Sequence, residues 1–150
     1  MIFAGEEFCD EGDRKFVHPD KQKDPINWER VNDGWRADLF GCVSRLVKLR
    51  TSSSALVNLD KVSTDFINSD TARNGRIQAW VRKSDSDDNK VVVVANFSNE
   101  LFDQGYNVTR WPSKPDRKYW YDVIANIRAD NAGHEILKPW DVKVYELRSE

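Results

Sequence analysis

The chain has 150 residues and a mass of 17.4 kDa, the size of one domain or of one domain with part of another. Hydrophobic residues make up 39% and charged residues 32%, which excludes disordered, collagen-like and low-complexity classes. The 23 Lys and Arg nearly balance the 25 Asp and Glu, so no global positive field attracts nucleic acid or an anionic membrane. We expect neither nucleic acid nor a membrane as a partner.

Several site classes lack the residues they require. The longest apolar run, Val91-Val92-Val93-Val94-Ala95, is far shorter than the ~20 residues of a membrane helix. The first residues lack the basic and apolar regions of a secretory signal. Cys9 and Cys42 are too few for a disulfide framework or a four-cysteine zinc site, and His18 and His134 have no partner at ligand spacing. We expect no metal and no cofactor.

The first third of the chain has the pattern of a single βα unit. Residues 2–4 are apolar without polar spacing, which predicts a short strand buried on both faces, as in a parallel sheet. Residues 6–33 are polar and without a helical or strand period, which predicts a long loop. Residues 34–50 have apolar side chains at helical spacing after Asn32 or Asp33 as N-cap, which predicts an amphipathic helix. One such unit cannot fold by itself as a barrel or a doubly wound sheet.

The rest of the chain alternates short β-rich runs with turn residues. Six strands are predicted: Thr64 to Asn68, Ile77 to Arg82, Val91 to Phe97, Tyr106 to Arg110, Lys118 to Ile124 and Asp141 to Arg148. Asn74-Gly75 predicts a tight hairpin turn between the first two strands. The predicted fold is therefore mostly β, an antiparallel β-sandwich preceded by one βα unit.

Four segments carry a family resemblance through their order and spacing. They are Met1 to Phe8 (MIFAGEEF), Lys21 to Glu29 (KQKDPINWE), Arg45 to Arg50 (RLVKLR) and Val91 to Ser98 (VVVVANFS). Together they resemble the C-terminal end of α-amylase-family glycoside hydrolases over essentially the whole chain. The resemblance implies that residues 1–54 are the last strand and helix of an incomplete (β/α)8 TIM barrel, and that residues 55–150 are the all-β C-terminal domain. It also implies that the chain is a piece of a longer enzyme.

For that intact enzyme, the resemblance implies retaining hydrolysis or transglycosylation at α-glucosidic bonds, with an α-glucan or a small α-glucoside as substrate. Retention needs two carboxyl groups about 5–5.5 Å apart, and the family supplies its catalytic carboxylates from earlier barrel strands. We therefore assign no catalytic residue and expect the chain alone to be inactive, with a role in supporting the barrel. The resemblance puts Lys21, Asp24 and Trp28 at the rim of the sugar cleft as substrate-binding residues. Trp28 either stacks on a glucose ring or anchors its loop on the helix.

The loop after the predicted first strand is rich in carboxylates, at the end of a strand where barrel active sites lie. Its acidic residues are Glu6, Glu7, Asp10, Glu11 and Asp13. Acids so close together on a loop are normally solvated or paired, and we interpret them as structural. The family usually has glycine where Cys9 stands, so we expect a turn with positive φ there.

Aromatic residues support an alternative hypothesis, a stand-alone β-sandwich carbohydrate-binding module. The candidates are Trp80, Trp111, Tyr119, Trp120, Tyr121 and Trp140. Aromatic side chains on strands of a small sandwich are more often part of the core. Because successive residues of a strand point to opposite faces, either Trp120 or its two flanking tyrosines face the core, and the other set is half-exposed.

The βα unit also predicts an uncovered apolar surface. The residues that would contact the absent barrel strands and helices are Ile2, Phe3, Trp35, Leu39, Val43 and Leu46. A large exposed apolar patch favours association. We expect the isolated chain to self-associate through this barrel-facing surface.

Overall fold

The structure, a computed structural model, describes residues 5–10, 26–57, 59–68 and 75–150. The predicted strand at residues 2–4 lies outside the described residues. The chain divides into two compact units, Met1–Val47 and Lys48–Glu150. This division lies inside the long helix, whereas the predicted domains divide after residue 54; their assignment to a barrel remnant and a C-terminal domain stays a prediction.

The first unit contains two short 3₁₀ turns, Glu6–Phe8 and Trp28–Asn32, and most of helix α1, Gly34–Ser52. The helix begins where Asp33 accepts the first helical bond, from the amide of Ala37 at 2.9 Å. It ends at Thr51 and Ser52, whose hydroxyls both bond back to the carbonyl of Lys48. The predicted helix is confirmed, with two further residues at its C-terminal end.

The second unit opens with the short helix α2, Ser54–Val57, and a 3₁₀ turn, Leu59–Lys61. Eight strands follow: β1 Val62–Phe66, β2 Ile77–Ser84, β3 Lys90–Asn96, β4 Phe102–Asn107, β5 Lys118–Asp122, β6 Ile127–Arg128, β7 His134–Leu137 and β8 Val142–Ser149. Six of them form an antiparallel sheet in the order β1-β2-β3-β8-β5-β6, and β4 pairs with β7 in a second sheet. The predicted fold class, mostly β and antiparallel with a preceding helix, is confirmed.

Each predicted strand overlaps an observed one, and β6 and β7 were not predicted. These two strands have only two and four residues, too few to show a period. Strand β4 begins earlier than predicted, at Phe102, and contains a bulge before Tyr106. The predicted turn at Asn74-Gly75 lies partly outside the described residues; Gly75 itself has φ of 67°.

The core lies between the two sheets and is built from alternating positions of their strands. Its members are Ile67, Ile77, Ala79, Val81, Val92, Val94, Phe102, Tyr106, Val108, Trp120, Leu137, Tyr145 and Leu147. Strand β3 is central, and its valine run is nearly continuous because Val91 and Ala95, on the other face, are buried as well. Trp120 is the core-facing member of its aromatic triplet, so the flanking Tyr119 and Tyr121 lie half-buried on the opposite face.

A buried polar cluster joins the two sheets. The Glu135 carboxylate on β7 is 1% exposed and accepts bonds from the Tyr145 hydroxyl at 2.5 Å and the Lys143 ammonium at 3.0 Å, both on β8. Its other oxygen accepts the amide of Gly133 at 2.8 Å. Burial, and then the neighbouring Glu135, raise the pKa of the Tyr145 hydroxyl, which therefore stays protonated as a donor. The cluster satisfies a buried charge and fixes the two sheets against each other.

Neither helix α1 nor helix α2 meets the combination of length and hydropathy that a membrane-crossing helix requires.

Candidate functional site

The first candidate region is the turn at residues 5–10, which opens the loop that the family resemblance predicts at the rim of a sugar cleft. Gly5 has φ of 93° and opens the 3₁₀ turn, and Cys9 closes it with φ of 56°. The expected positive φ at Cys9 is confirmed. A side chain in this left-handed region costs about 1–2 kcal/mol relative to glycine, so the surrounding contacts must hold the turn in place.

Two acidic side chains supply those contacts. Asp10 accepts the amide of Asn27 at 3.1 Å and the guanidinium of Arg30 at 3.2 Å, which ties the turn to the segment before α1. The Glu7 carboxylate accepts the amide of Gly5 at 2.8 Å. These carboxylates act within the local fold, which supports the structural interpretation; Glu11 and Asp13 lie outside the described residues.

Trp28 is the one predicted substrate-binding residue within the described ranges, since Lys21 and Asp24 lie outside them. Its ring packs on Phe8, with centroids 5.4 Å apart and planes tilted by 43°, and Phe8 also contacts Phe40 at 6.2 Å. Phe8 is fully buried, whereas Trp28 remains 55% exposed. Trp28 is therefore positioned from one side by an aromatic contact while more than half of its surface is open to solvent. Its predicted role in substrate binding stays a prediction.

The second candidate region is an open groove at the β5–β6 edge of the large sheet. Its volume is about 440 Å³. The side chains that shape it come from the segment before β5, from β5 itself, and from β6 and the turn after it. They include Trp111, Lys114, Tyr119, Arg128, Ala129 and Asp130.

Trp111 is held rigidly at this groove. Its ring meets Trp120 and Tyr145 edge to face, with both centroid distances 5.4 Å. Gly133 lies against the ring, and a Cβ there would come within 2.9 Å of the indole Cγ. The indole Nε1 is buried and has no hydrogen-bond partner among the described residues. The tryptophan is therefore anchored by packing, and no polar bond explains its position.

Tyr119 also lines the groove, with the Arg128 guanidinium 4.8 Å from its ring centroid. Two residues along β5, Tyr121 has the same arrangement with Arg148 at 3.6 Å, but it is not part of the groove. Arg128 also pairs with Asp130 at 3.4 Å and with Glu150 at 3.7 Å. The groove thus places an aromatic surface beside exposed hydrogen-bonding groups.

The remaining aromatic candidates lie apart from the groove lining. Trp80 is half-buried on β2, and Trp140 is 68% exposed in the turn before β8, with φ of 59°. Sequence reasoning singled out Trp111 and Tyr119 but missed Arg128 and Asp130. Only the pairing of β6 with β5 brings those two residues to the aromatic rings, and no local pattern signals it. Among the described residues, no group of three or more His, Cys, Asp or Glu is gathered as for a metal ion.

Comparison with known proteins gives a likeness of fold. No protein-family profile matches the chain, and no curated protein matches its sequence. Two crystal structures of trehalose-6-phosphate hydrolase from Bacillus licheniformis, one of them a mutant in complex with PNG, align with 83% of this chain at 18% identity and a TM-score of 0.54. The chain covers only 20% of the length of these structures. The chain therefore shares the fold of one part of a much longer protein.

Proposed function

We propose that this chain is the C-terminal part of an α-amylase-family glycosidase that acts on α-glucosidic bonds. In the intact enzyme the reaction is retaining hydrolysis or transglycosylation on an α-glucan or a small α-glucoside. The catalytic carboxylates belong to preceding barrel strands, so the chain alone is inactive. Residues 1–54 complete the barrel, and residues 55–150 cover and support it.

The likeness to trehalose-6-phosphate hydrolase carries this proposal. It extends over 83% of this chain but only 20% of the enzyme, which is the relation expected of a part to a whole. The four sequence segments that resemble the α-amylase family support the same assignment independently. Trehalose-6-phosphate hydrolase is itself an α-amylase-family enzyme, so the two lines agree on the family.

In the proposed enzyme, the turn at residues 5–10 positions Trp28 for contact with substrate. Its contacts with Asn27 and Arg30 hold the 26–33 segment, and Trp28 presents an exposed ring there. In the proposed enzyme this ring, together with Lys21 and Asp24, lines the rim of the sugar cleft. Trp28→Ala in the intact enzyme should raise KM more than it lowers kcat, because the ring touches substrate away from the reacting bond.

The test is an activity measurement on the native product. An antibody against this chain isolates the native polypeptide from its source cells. The isolated polypeptide is then assayed for glucose release from maltose, maltotriose and trehalose 6-phosphate. The purified 150-residue chain is the control. The proposal predicts hydrolysis by the native product, with an initial product that retains the α configuration, and none by the chain alone. Absence of glycosidase activity in the native product, or inversion of configuration, contradicts it.

The predicted self-association through the barrel-facing surface can be tested on the isolated chain. On α1, Trp35 is 56% exposed, and Leu39, Val43 and Leu46 are only partly buried. We expect self-association that increases with concentration in sedimentation velocity, and about tenfold weaker association for Trp35→Glu. A chain that stays monomeric at every concentration and binds no hydrophobic dye contradicts this expectation.

The second candidate function is an independent carbohydrate-binding module, and the groove beside Trp111 and Tyr119 favours it. The two functions differ in the length of the native polypeptide. A module of this kind exists as a short product, whereas the proposed glycosidase is several times longer.

A further inference from the structure

We infer that the outer edge of β1 binds a second copy of this chain. The two β1 strands pair antiparallel about Thr64, so that the two six-stranded sheets continue into each other across the dimer axis. The inference uses contacts within the second unit alone and does not depend on the proposed glycosidase function.

Strand β1 directs half of its backbone groups away from the sheet. It lies at the end of the strand order and pairs with β2 on one side. The amide of Ile67 donates to the carbonyl of Ala79 on β2 at 2.9 Å. Because alternate residues of an antiparallel strand bond to the same neighbour, Ser63 and Asp65 also face β2. The backbone groups that point outward, as a template for another strand, are those of Val62, Thr64 and Phe66.

The two edges of the large sheet differ in how they are protected. Edge strands are usually kept unpaired by short length, proline, a bulge or an uncompensated charge. Strand β6 is short, with two residues that include Arg128. Strand β1 has five residues without proline, and its one charged side chain, Asp65, pairs with Lys83 of β2 at 2.6 Å. Of these two edges, β1 is the one that is long enough to accept a partner strand.

The sequence of β1 is complementary to itself in the antiparallel direction. With Thr64 opposite Thr64 of the second copy, Val62 lies opposite Phe66, and Ser63 lies opposite Asp65. Phe66 is 64% exposed, and a β-branched side chain opposite an aromatic ring is a favourable cross-strand pair. A serine hydroxyl opposite a carboxylate sets a donor against an acceptor, and no like charges face each other. This register therefore favours a second copy as the occupant.

Arg110 sets the length of the pairing. Its guanidinium donates to the carbonyl of Phe66 at 2.5 Å, and its amide donates to the carbonyl of Ile67 at 3.0 Å. The carbonyl oxygen of Phe66 has a second lone pair for the Val62 amide of the second copy. Pairing thus spans the five residues of β1, and we expect a weak dimer with a Kd of about 0.1 mM.

The test is a charge swap at the dimer axis, measured by sedimentation velocity on the complete chain from about 10 μM to about 1 mM. Every chain carries Trp35→Glu, which weakens the separate association expected at helix α1. Thr64→Lys and Thr64→Glu each place like charges opposite one another and should weaken the dimer at least about tenfold. An equimolar mixture of the two should restore it to within about threefold of the parent chain, because opposite charges then meet. Gln104→Lys, exposed on β4, is the matched control and should stay within about twofold.

Amide hydrogen exchange tests the same contact without a substitution in β1. The Thr64 amide points away from the sheet and should exchange about threefold more slowly at high chain concentration than at low concentration. The Asp65 amide faces β2 and is the internal control, whose exchange should not depend on concentration. If a variant at position 64 fails to fold, as circular dichroism would show, the exchange of these two amides decides.

Three results overturn the inference. They are a parent chain that stays monomeric, a mixture of the two charge variants that associates no better than either variant alone, and a Thr64 amide whose exchange does not depend on concentration. Glycosidase activity of the native product is measured separately, so its absence leaves the β1 dimer standing.

Discussion

The two units of the chain differ in how completely they bury their own apolar surface. Among the described residues of the first unit, Phe8 is the large side chain that is fully buried, while Trp28 and Trp35 are more than half exposed. The second unit has a continuous core between two sheets, together with a satisfied buried cluster around Glu135. The second unit therefore contains what a stable fold needs within its own sequence.

This difference indicates what covers the apolar side chains of each unit. In the second unit, each sheet buries its apolar face on the other sheet. In the first unit, helix α1 presents apolar side chains that its own described residues do not cover. Under the proposed function, the remaining strands and helices of a barrel cover them.

The largest predicted effect is a difference in thermal unfolding between the two units expressed separately. Residues 48–150 expressed alone should unfold in one cooperative transition, because the core cluster is complete within them. Residues 1–47 alone should show no cooperative transition, since a chain of this length rarely buries enough apolar surface to offset chain entropy. Circular dichroism during thermal unfolding measures both. A cooperative transition of the first unit alone, or an unfolded second unit, contradicts the claim that only the second unit is stable by itself.

The next effect is the loss of the cluster that joins the two sheets. Glu135→Ala leaves the buried Tyr145 hydroxyl and the partly buried Lys143 ammonium without their acceptor and should cost about 3 kcal/mol, the lower end of the range for broken buried ion pairs, because Lys143 keeps some access to water. Tyr145→Phe removes one bond and should cost about 1–3 kcal/mol. Urea unfolding gives both values. Glu146→Ala, a carboxylate on β8 that pairs locally with Arg148, is the control and should cost under about 1 kcal/mol.

Substitution of one glycine in each unit tests how closely other atoms approach the backbone at that position. Gly105 has φ of 85° in the bulge of β4, and a Cβ there would lie 2.1 Å from His134 Nε2. Gly105→Ala should therefore destabilise the second unit by about 1–3 kcal/mol. Gly34→Ala, at the start of α1, meets nothing within 4 Å and should be neutral or stabilise the helix by up to about 1 kcal/mol. Equal effects of the two variants in denaturant unfolding contradict this account.

The smallest effect is a pH dependence in the second unit. The hydroxyl of Ser54 and the amide of Asn89 hold the pKa of Asp87 below its ordinary value of 3.8. Stability from this carboxylate is complete above pH 3.8 and is lost as the pH falls through the lower pKa of the folded state. Because Asp87 is exposed, we expect Asp87→Asn to change Tm by less than about 4 °C at neutral pH.

The acid limb of the stability profile checks that assignment. Asp87→Asn should flatten the decline in Tm between pH 5 and pH 2, roughly the range in which a bonded carboxylate titrates. Asp88→Asn is the control, because no hydrogen bond to the Asp88 carboxylate is present among the described residues. A change of slope in the control and none in Asp87→Asn contradicts the expectation.

Much of the fold could be predicted from local pattern. The helix from residue 34, the valine strand and the last strand follow from periods of 3.6 and 2 that need no tertiary information. The short β6 and β7 could not be predicted, because they exist only through their partners. The same limit applies to the groove. Trp111 and Tyr119 stand out in the sequence, but Arg128 joins them through the pairing of β6 with β5.

The orientation of the aromatic triplet on β5 shows a related limit. Alternation alone left two choices for Trp120, and only the packing of Trp111 and Tyr145 around it selects the core-facing one. The turn at residues 5–10 was predicted more completely. The resemblance predicted a positive φ at Cys9, and the structure gives 56°.

The measurement that most directly tests the central claim is the mass of the native polypeptide that contains this chain, with tryptic peptides mapped before Ile2. The account predicts a polypeptide several times heavier than 17.4 kDa, whose additional peptides include the three carboxylates of a retaining α-glycosidase. A native polypeptide of 17.4 kDa, with no associated barrel chain, would contradict the account and favour an independent module.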